Sequence, residues 1–273
     1  GDFTTTAALE CNNLTVTPGV NLTADHDVTV KGNLVLESSS GGTASLIDND
    51  NVSVAATSTA QLYLSENTTN TNPHWHYVAV PVDVSGSSVT SAVFGTPHTH
   101  SGTDYYAHYY NETAGNYTDI TDNTTDLSGQ LRGYAVPKGG DATLSFDGTL
   151  TSGSYSTTLT RNGNGYNLVG NPYPSGLNLG NFDAGLTGIT ANSSDFVTTV
   201  WIRSDDNFLE YNWKSGDAVS GNFTGVVPPM QGFWLRVADQ PDDVTFGVDN
   251  PARTHDNNNV YKTTETHLLR LQA

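Results

Sequence analysis

The central part of the chain carries the same strand pattern twice, and this internal repeat constrains the fold more than any other feature. The first copy consists of four runs: Trp75–Asp83, Tyr105–Asn111, Leu131–Lys138 and Ala142–Gly148. The second copy consists of Gly165–Pro174, Thr199–Arg203 with Phe208–Asn212, Met230–Val237 and Asp243–Gly247. The offset of about 90 to 100 residues exceeds the period of a stacked-repeat protein. The repeat predicts two related halves of several strands each, packed as one β-sandwich or as two adjoining ones.

The composition favours strands over helices throughout the 273 residues. Only 14% of the residues are charged, and Thr, Val, Tyr and Phe stand in short runs between Gly, Asn and Asp. Thr, Val, Tyr and Phe fit the pleated surface of a sheet, and Gly, Asn and Asp form turns. We therefore predict an all-β fold, in which a short N-terminal β-solenoid-like segment precedes a duplicated antiparallel β-sandwich region of jelly-roll-like type.

The N-terminal part of the chain alternates small apolar and polar residues in short runs. At period two, one face of these runs consists of Leu14, Val16, Val28, Val30, Leu34 and Leu36. This pattern is typical of a parallel β-solenoid, whose rungs stack on one another. We predict three units: residues 1–66 as this segment, residues 74–160 as the first sandwich half, and residues 161–273 as the second half with a C-terminal strand.

The charge balance excludes one class of partner. Asp and Glu total 28 against 10 Lys and Arg, which gives a net charge of −18. A nucleic acid duplex or an anionic membrane repels such a surface. No apolar run reaches the roughly 18 residues that a membrane helix needs, so we expect neither nucleic acid binding nor membrane insertion. Cys11 is the single cysteine of the sequence, which leaves no intrachain disulfide.

Two motifs in the second half resemble a known family. The run Tyr166–Ser175 ends in Gly-Asn-Pro-Tyr-Pro-Ser, and the run Val227–Trp234 reads Val-Pro-Pro-Met-Gln-Gly-Phe-Trp. This pairing resembles a β-module of secreted and cell-surface proteins of the Bacteroidota that are exported by the type IX secretion route. The resemblance implies an extracellular or outer cell-surface location and a structural, adhesive or polysaccharide-degrading context. It brings no catalytic residues with it.

The large aromatic residues of these motifs are assigned to the interior. Trp201 and Trp234 lie in predicted strands of a sandwich, which needs large inward side chains. Tyr173 lies between two prolines, which fix the backbone at a packed corner. We therefore expect all three side chains in the core, with ligand stacking on Tyr173 as the alternative.

A row of tyrosines is the candidate carbohydrate site. Strand alternation places Tyr105 and Tyr109 on one face, and Tyr106 and Tyr110 on the other together with His108. One face must pack in the core, and the other is free to stack on a sugar ring. The candidate carbohydrate-binding residues are Tyr105, Tyr106, Tyr109, Tyr110 and Trp213.

Two groups of residues are candidate metal ligands. His98 and His100 lie two apart in an extended segment, and together with Asp104 they offer ligands for Zn²⁺ or Cu²⁺. Carboxylate oxygens in turns suit a structural Ca²⁺, and the candidates are Asp48, Asp50, Asp205 and Asp206. The alternative is that the histidines are solvated and that the acidic residues form ordinary Asx turns.

The sequence contains no nucleophile elbow, no zinc-protease motif and no P-loop, so we do not expect an enzyme. The functional prediction is a non-catalytic extracellular structural or adhesion module of a bacterial surface protein. Two alternatives stay open: a carbohydrate-binding module of a polysaccharide-degrading protein, and a self-assembling subunit of a surface filament or layer. The expected partners are accordingly a polysaccharide, another surface protein or a second copy of the chain.

Overall fold

The computed structural model describes residues 1–65, 74–85, 89–204, 207–239, 243–255 and 269–272. The all-β prediction is confirmed, because these residues form strands joined by turns and three short 3₁₀ helices, Ser91–Phe94, Ser193–Asp195 and Asn250–Ala252. Within the described residues, no helix has the length and the apolar composition that crossing a membrane requires.

The N-terminal segment contains β1 (Asp2–Thr4), β2 (Leu9–Cys11), β3 (Asn13–Val16), β4 (Asn21–Thr23), β5 (Val28–Val30), β6 (Leu34–Leu36), β7 (Ser38–Ser39), β8 (Gly42–Thr43), β9 (Ser45–Ile47), β10 (Val52–Val54) and β11 (Ser58–Leu64). Three sets of parallel strands each take one strand from each of three successive passages of the chain: β1–β4–β9, β2–β5–β10 and β3–β6–β11. Inward side chains stack in register, as Leu14 does on Leu34. A β-solenoid requires such pairing, and we keep that term as an interpretation of it.

The first half contains β12 (His74–Val78), β13 (His98–His100), β14 (Thr103–Tyr105), β15 (Ala107–Asn111), β16 (Asn116–Ile120), β17 (Tyr134–Lys138) and β18 (Ala142–Asp147). The remaining strands are β19 (Tyr155–Leu159), β20 (Tyr166–Gly170), β21 (Gly176–Asn178), β22 (Ile189–Thr190), β23 (Thr199–Ser204), β24 (Asn207–Asn212), β25 (Asp217–Ser220), β26 (Val226–Val227), β27 (Gly232–Arg236), β28 (Val244–Val248), β29 (Arg253–Thr254) and β30 (Leu269–Gln272).

The sequence repeat is also a repeat of strand order. The first half forms the antiparallel sheet β12–β17–β15–β16, and the second half forms β20–β27–β23–β24 with β25 added at the edge. The next pair of strands repeats as well, since β18 pairs with β11 and β28 pairs with β19. The C-terminal strand β30 pairs with β3, in antiparallel orientation, and so returns to the N-terminal segment.

The two halves meet through reciprocal backbone contacts. Val78 of the first half bridges Gln231 of the second, and Val169 of the second half bridges Arg132 of the first. Val78 and Val169 hold equivalent places in the repeat, because each lies opposite the aromatic residue that follows Gly133 or Gly232. A contact that recurs with its partners exchanged is the signature of a two-fold relation. The halves are therefore related by a pseudo-two-fold axis.

Two main clusters of buried apolar side chains stabilise the fold. The first extends from the N-terminal segment into the first half, and it joins Leu14 and Leu62 to Val78 and Phe146. The second lies within the second half. A third, smaller cluster of aromatic side chains lies where the halves meet, and it contains Tyr77 and Trp234.

Candidate functional site

The outer face of the two equivalent sheets carries an aromatic surface. Along β12 the strand alternation points Val78 into the first core and Tyr77 to the opposite face. Along β27 it points Phe233 into the second core and Trp234 to the opposite face. These outward side chains and their neighbours line two adjoining cavities, the groove and the side pocket, which together form the aromatic cleft.

The groove has a volume of about 330 Å³, and the described residues that line it are all aromatic: Tyr77, Tyr110, Tyr117, Tyr166, Trp201, Phe208 and Trp234. The ring of Trp234 is 8% exposed, and the rings of Tyr110 and Tyr166 meet it edge to face with centroids 4.8 and 6.2 Å away. Phe208 and Tyr117 are far more open, at 42% and 39% exposure. The groove therefore combines a fixed inner ring with outer rings that a ligand can reach.

The side pocket has a volume of about 320 Å³ and is lined by Trp75, Tyr77, His108, Tyr117, Asp119, Ala135 and Arg203. It shares Tyr77 and Tyr117 with the groove, and the hydroxyl oxygens of these two tyrosines lie 2.7 Å apart. Burial raises the pKa of the Tyr117 phenol, and the nearby Tyr77 raises it further. The Tyr117 phenol thus remains neutral at physiological pH, and the hydrogen bond that joins the two cavities is retained.

Each half holds a ring nitrogen against a carboxylate at equivalent strand positions. His108 lies opposite Asp119, with Nδ1 2.8 Å from Oδ1. Trp201 lies opposite Glu210, and its Nε1–H donates to Oε1 at 3.3 Å. A carboxylate has several lone pairs, so one such hydrogen bond orients the ring and leaves further acceptor positions open.

Two arginines pack on rings of the cleft. The guanidinium carbon of Arg203 lies 5.9 Å from the ring centroid of Tyr77 and 5.8 Å from that of Phe208. The guanidinium carbon of Arg236 lies 5.0 Å from the ring centroid of Tyr166. Such cation–π contacts hold the rings in place.

Comparison with known proteins adds one finding to this geometry. A family model matches residues 4–270, which is nearly the whole chain. The chain belongs to that family. Its description is Domain of unknown function (DUF8693). No curated protein and no solved structure matches the chain. The cleft itself is therefore the guide to what this DUF8693 chain does.

The structure separates the tyrosines that the sequence analysis grouped together. Tyr110 lines the groove, and the ring centroid of Tyr105 lies 5.2 Å from that of His108. Tyr106 and Tyr109 instead pack against the first core, and their assignment to opposite faces is wrong. The reason is that Tyr106 lies between β14 and β15, where the strand alternation is interrupted.

Trp213 is the clearest error among the predicted sugar-binding residues. Its side chain is fully buried in the second core, where its ring centroid lies 4.4 Å from that of Phe182 and 5.3 Å from that of Phe196. Its Nε1–H donates to the carbonyl oxygen of Leu179 at 3.0 Å. A ligand cannot reach Trp213, because the ring is fully buried. Packing this large apolar ring in the core of the second half removes its surface from water.

The core prediction is confirmed for Trp234, which is buried in the third cluster and also lines the groove, whereas Trp201 is only half-buried and packs against that cluster. They are neighbours on β23 and β27 and point away from the second core. Tyr173 is fully buried, as expected, and its hydroxyl donates to the carbonyl oxygen of Gly153 at 2.6 Å. The sequence analysis also missed Trp75 and Tyr166, which the repeat could have identified, since both are aromatic at equivalent positions of β12 and β20.

The predicted metal ligands do not converge. In the described part of the chain, no group of three or more His, Cys, Asp or Glu side chains is placed to hold a metal ion. Asp48 forms an ion pair with the buried guanidinium of Arg253, which corrects its assignment to a Ca²⁺ site. Asp50 accepts a hydrogen bond from Ser152 Oγ at 2.8 Å, and the same hydroxyl lies 3.1 Å from Asp48.

The histidine site is likewise not assembled. His98 and His100 lie at the two ends of β13, in the β13–β14 hairpin, where His98 is half-buried and His100 is exposed. The expected third ligand, Asp104, accepts a hydrogen bond from Thr99 Oγ1 at 2.5 Å. Two other predicted Ca²⁺ ligands, Asp205 and Asp206, lie outside the described residues.

Proposed function

We propose that this protein is a non-catalytic binding module that binds carbohydrate in the aromatic cleft, and that it serves adhesion at the surface of a bacterial cell. The observation that carries the proposal is the groove, because all of its described lining residues are aromatic. The CH faces of a sugar ring stack on aromatic rings, much as other apolar groups do. The surface location rests on the resemblance to exported modules of the Bacteroidota.

The chemistry of the cleft favours a sugar over a lipid or an apolar peptide. The groove offers the flat faces and edges of phenol, indole and phenyl rings, on which the CH face of a sugar ring stacks. Carboxylates lie beside these rings, as Asp119 lies beside His108 and Glu210 beside Trp201. A sugar presents an apolar face and a rim of hydroxyl donors, which matches rings flanked by carboxylate acceptors.

The absence of a catalytic role is part of the proposal. General acid–base catalysis needs a carboxyl group that is held protonated or a base that is free to take a proton. The carboxylates of Asp119 and Glu210 each accept one hydrogen bond from a ring on the neighbouring strand and keep further acceptor positions for the hydroxyls of a ligand. Both groups are thus suited to hold a ligand in place.

Glycan binding by matched phenylalanine variants tests the proposal. Phe208 is 42% exposed in the groove, and Phe3 is 40% exposed on the N-terminal segment, so the two rings differ mainly in location. We expect the unsubstituted protein to bind soluble or insoluble polysaccharides in affinity electrophoresis or pull-down assays. We expect Phe208→Ala to weaken that binding by about tenfold, in line with the loss of one stacked ring, and Phe3→Ala to leave it unchanged.

Two results would count against a carbohydrate-binding cleft. One is no binding to any member of a broad panel of bacterial, algal and plant polysaccharides. The other is binding that Phe208→Ala and Phe3→Ala affect equally, since this would place the glycan site elsewhere on the protein.

A further inference from the structure

We propose that the aromatic cleft holds one uncharged glycan chain that crosses the pseudo-two-fold axis, with one subsite contributed by each half. This inference rests on the proposed carbohydrate function and deepens it, because it specifies the length and the charge of the ligand.

The first argument is that the two halves carry equivalent sets of site residues. The pairing of β12 with β17 matches that of β20 with β27, so Trp75 and Tyr166 hold equivalent places. On the next strands the pair His108–Asp119 is equivalent to the pair Trp201–Glu210. Each half thus presents an aromatic wall and, beside it, a nitrogen-containing ring hydrogen-bonded to a carboxylate. Two similar subsites suit a ligand built from repeated units.

The second argument is that the two subsites adjoin each other. Tyr166 and Trp201 of the second half line the groove, and Trp75, His108 and Asp119 of the first half line the side pocket. Tyr77 and Tyr117 line both cavities, and the hydrogen bond between their hydroxyls lies at the junction. Together the groove, at about 330 Å³, and the side pocket, at about 320 Å³, enclose about 650 Å³. This combined volume lies in the range of pockets that enclose a ligand larger than a single sugar.

The third argument concerns charge. The protein carries a net charge of −18, and the carboxylates of Asp119 and Glu210 stand beside the rings of the cleft. The guanidinium groups of Arg203 and Arg236 balance these two carboxylates within the cleft, so it is the overall negative charge of the protein that repels uronate and sulfated chains, while the carboxylates accept from the hydroxyls of an uncharged chain. His108 adds a polar atom to the first-half subsite, since its buried Nε2 has no hydrogen-bond partner among the described residues. Such an atom is uncommon in native proteins, and a water molecule or a ligand hydroxyl would satisfy it.

Chain length and charge of the ligand are tested by calorimetry with defined oligosaccharides. The probes are β-1,4-glucan, β-1,3-glucan, β-1,4-xylan and β-1,4-mannan oligomers, from disaccharide to hexasaccharide, together with uronate oligomers of the same lengths. We expect the affinity for at least one uncharged series to rise by about tenfold or more between the disaccharide and the longer oligomers, because these occupy both subsites. We expect the uronate oligomers to bind more weakly than the uncharged ones.

Variants separate the two subsites. Trp75 and Asp119 line the side pocket and are not part of the groove. We expect Trp75→Ala and Asp119→Asn to lower the affinity for long oligomers several-fold and to lower the affinity for the disaccharide much less, because the disaccharide can still bind in the groove. Phe208→Ala should weaken both. Asp119 is largely exposed, so its variant remains informative even if Trp75→Ala fails to fold. Asp147→Asn, at an exposed carboxylate on β18 that Thr59 contacts, is the matched control and should have no effect.

The possible failures are distinct. Affinity that does not depend on chain length, tighter binding of uronate oligomers, or long-chain binding that is unaffected by both side-pocket variants would overturn the two-subsite inference while leaving a glycan site in the groove. Absence of binding to every probe and polysaccharide would overturn the proposed function and this inference with it.

Discussion

The carboxylate of Glu112 accepts a hydrogen bond from the backbone N–H of Gly165 at 2.7 Å, across 53 residues of sequence. Glu112 follows β15 of the first half, and Gly165 precedes β20 of the second. The same carboxylate accepts from the N–H of Gly163 at 2.9 Å and from that of Asn162 at 2.8 Å. These hydrogen bonds fix the loop before β20 to the β15–β16 hairpin of the first half. Both elements lie next to strands that supply rings to the groove.

We expect Glu112→Ala to lower the free energy of unfolding by about 3 kcal/mol, because it leaves several backbone donors without their charged acceptor in a largely buried place. Urea denaturation followed by tryptophan fluorescence measures this difference. Glu10→Ala is the control: Glu10 forms an exposed ion pair with Lys31, and such pairs contribute about 0 to 1 kcal/mol. Equal effects of the two substitutions would contradict a special role of Glu112.

Acid stability depends on the same residue. Burial alone would raise the pKa of the Glu112 carboxyl, but the hydrogen bonds from the backbone and from Thr160 outweigh it and hold that pKa below its usual value of 4.5. Since the pKa is lower in the folded than in the unfolded chain, Glu112 stabilises the fold fully above about pH 4.5, and this contribution is lost as the pH falls below that value. We expect Glu112→Gln to show a shallower loss of stability between neutral and acidic pH than the unsubstituted protein. Parallel stability curves for the two proteins would refute the linkage.

The pseudo-two-fold contact between the halves leaves no room for a side chain at Gly133. A Cβ there would lie 2.7 Å from Leu168 Cγ and 2.8 Å from the carbonyl oxygen of Val169. We expect Gly133→Ala to destabilise the protein by about 1–3 kcal/mol, since the strands of the two halves must separate to accept the methyl group. Thermal denaturation monitored by circular dichroism detects this change.

Gly139 provides the control in the same half. A Cβ at Gly139 meets no atom within 4 Å, so Gly139→Ala should be neutral or slightly stabilising. The equivalent glycine of the second half, Gly232, meets Tyr77 Cβ at 2.9 Å, and Gly232→Ala should act like Gly133→Ala. Tolerance of alanine at both Gly133 and Gly232 would argue against close packing at the axis.

The side chain of Asn171 joins two motifs of the second half, Tyr166–Ser175 and Val227–Trp234. Asn171 is fully buried, and its Nδ2 donates to the carbonyl oxygens of Ser175 and Pro228, each at 2.8 Å. Its Oδ1 accepts from the N–H of Tyr173 at 3.0 Å. The amide thus fastens the Gly-Asn-Pro-Tyr-Pro corner to the Pro-Pro entry of β27.

We expect Asn171→Asp to destabilise the protein by at least about 2–3 kcal/mol, because it replaces a buried donor with a charged acceptor that faces carbonyl oxygens. Soluble yield and chemical denaturation report the effect. Asn178→Asp is the control: Asn178 is exposed, and its Oδ1 accepts from the N–H of Gly180, which a carboxylate also does. If both variants are equally stable, Asn171 does not link the motifs in the way described.

The repeat and the strand alternation predicted much of the architecture. Aligning Gly133 with Gly232 implies equivalent strands, and the structure gives both halves the same strand order. The candidate site was harder to predict. Period-two alternation says which residues share a face, but it does not say which face is buried when both carry large rings, as in β27 with Phe233 on one face and Trp234 on the other. The exposed Phe208 and the buried Trp213 lie five positions apart, and their sequence context does not distinguish their roles.

The sequence by itself determined the all-β class, the duplication and the acidic charge, because propensity, periodicity and composition are local or additive properties of the chain. Only the tertiary structure decided that Trp75 and Tyr77 of one half meet Trp201 and Trp234 of the other in a single cleft. It also decided that Glu112 binds the loop at Gly165. The physical reason is that these relationships depend on how two sheets pack across the pseudo-two-fold axis, which is fixed by many close contacts between residues distant in sequence.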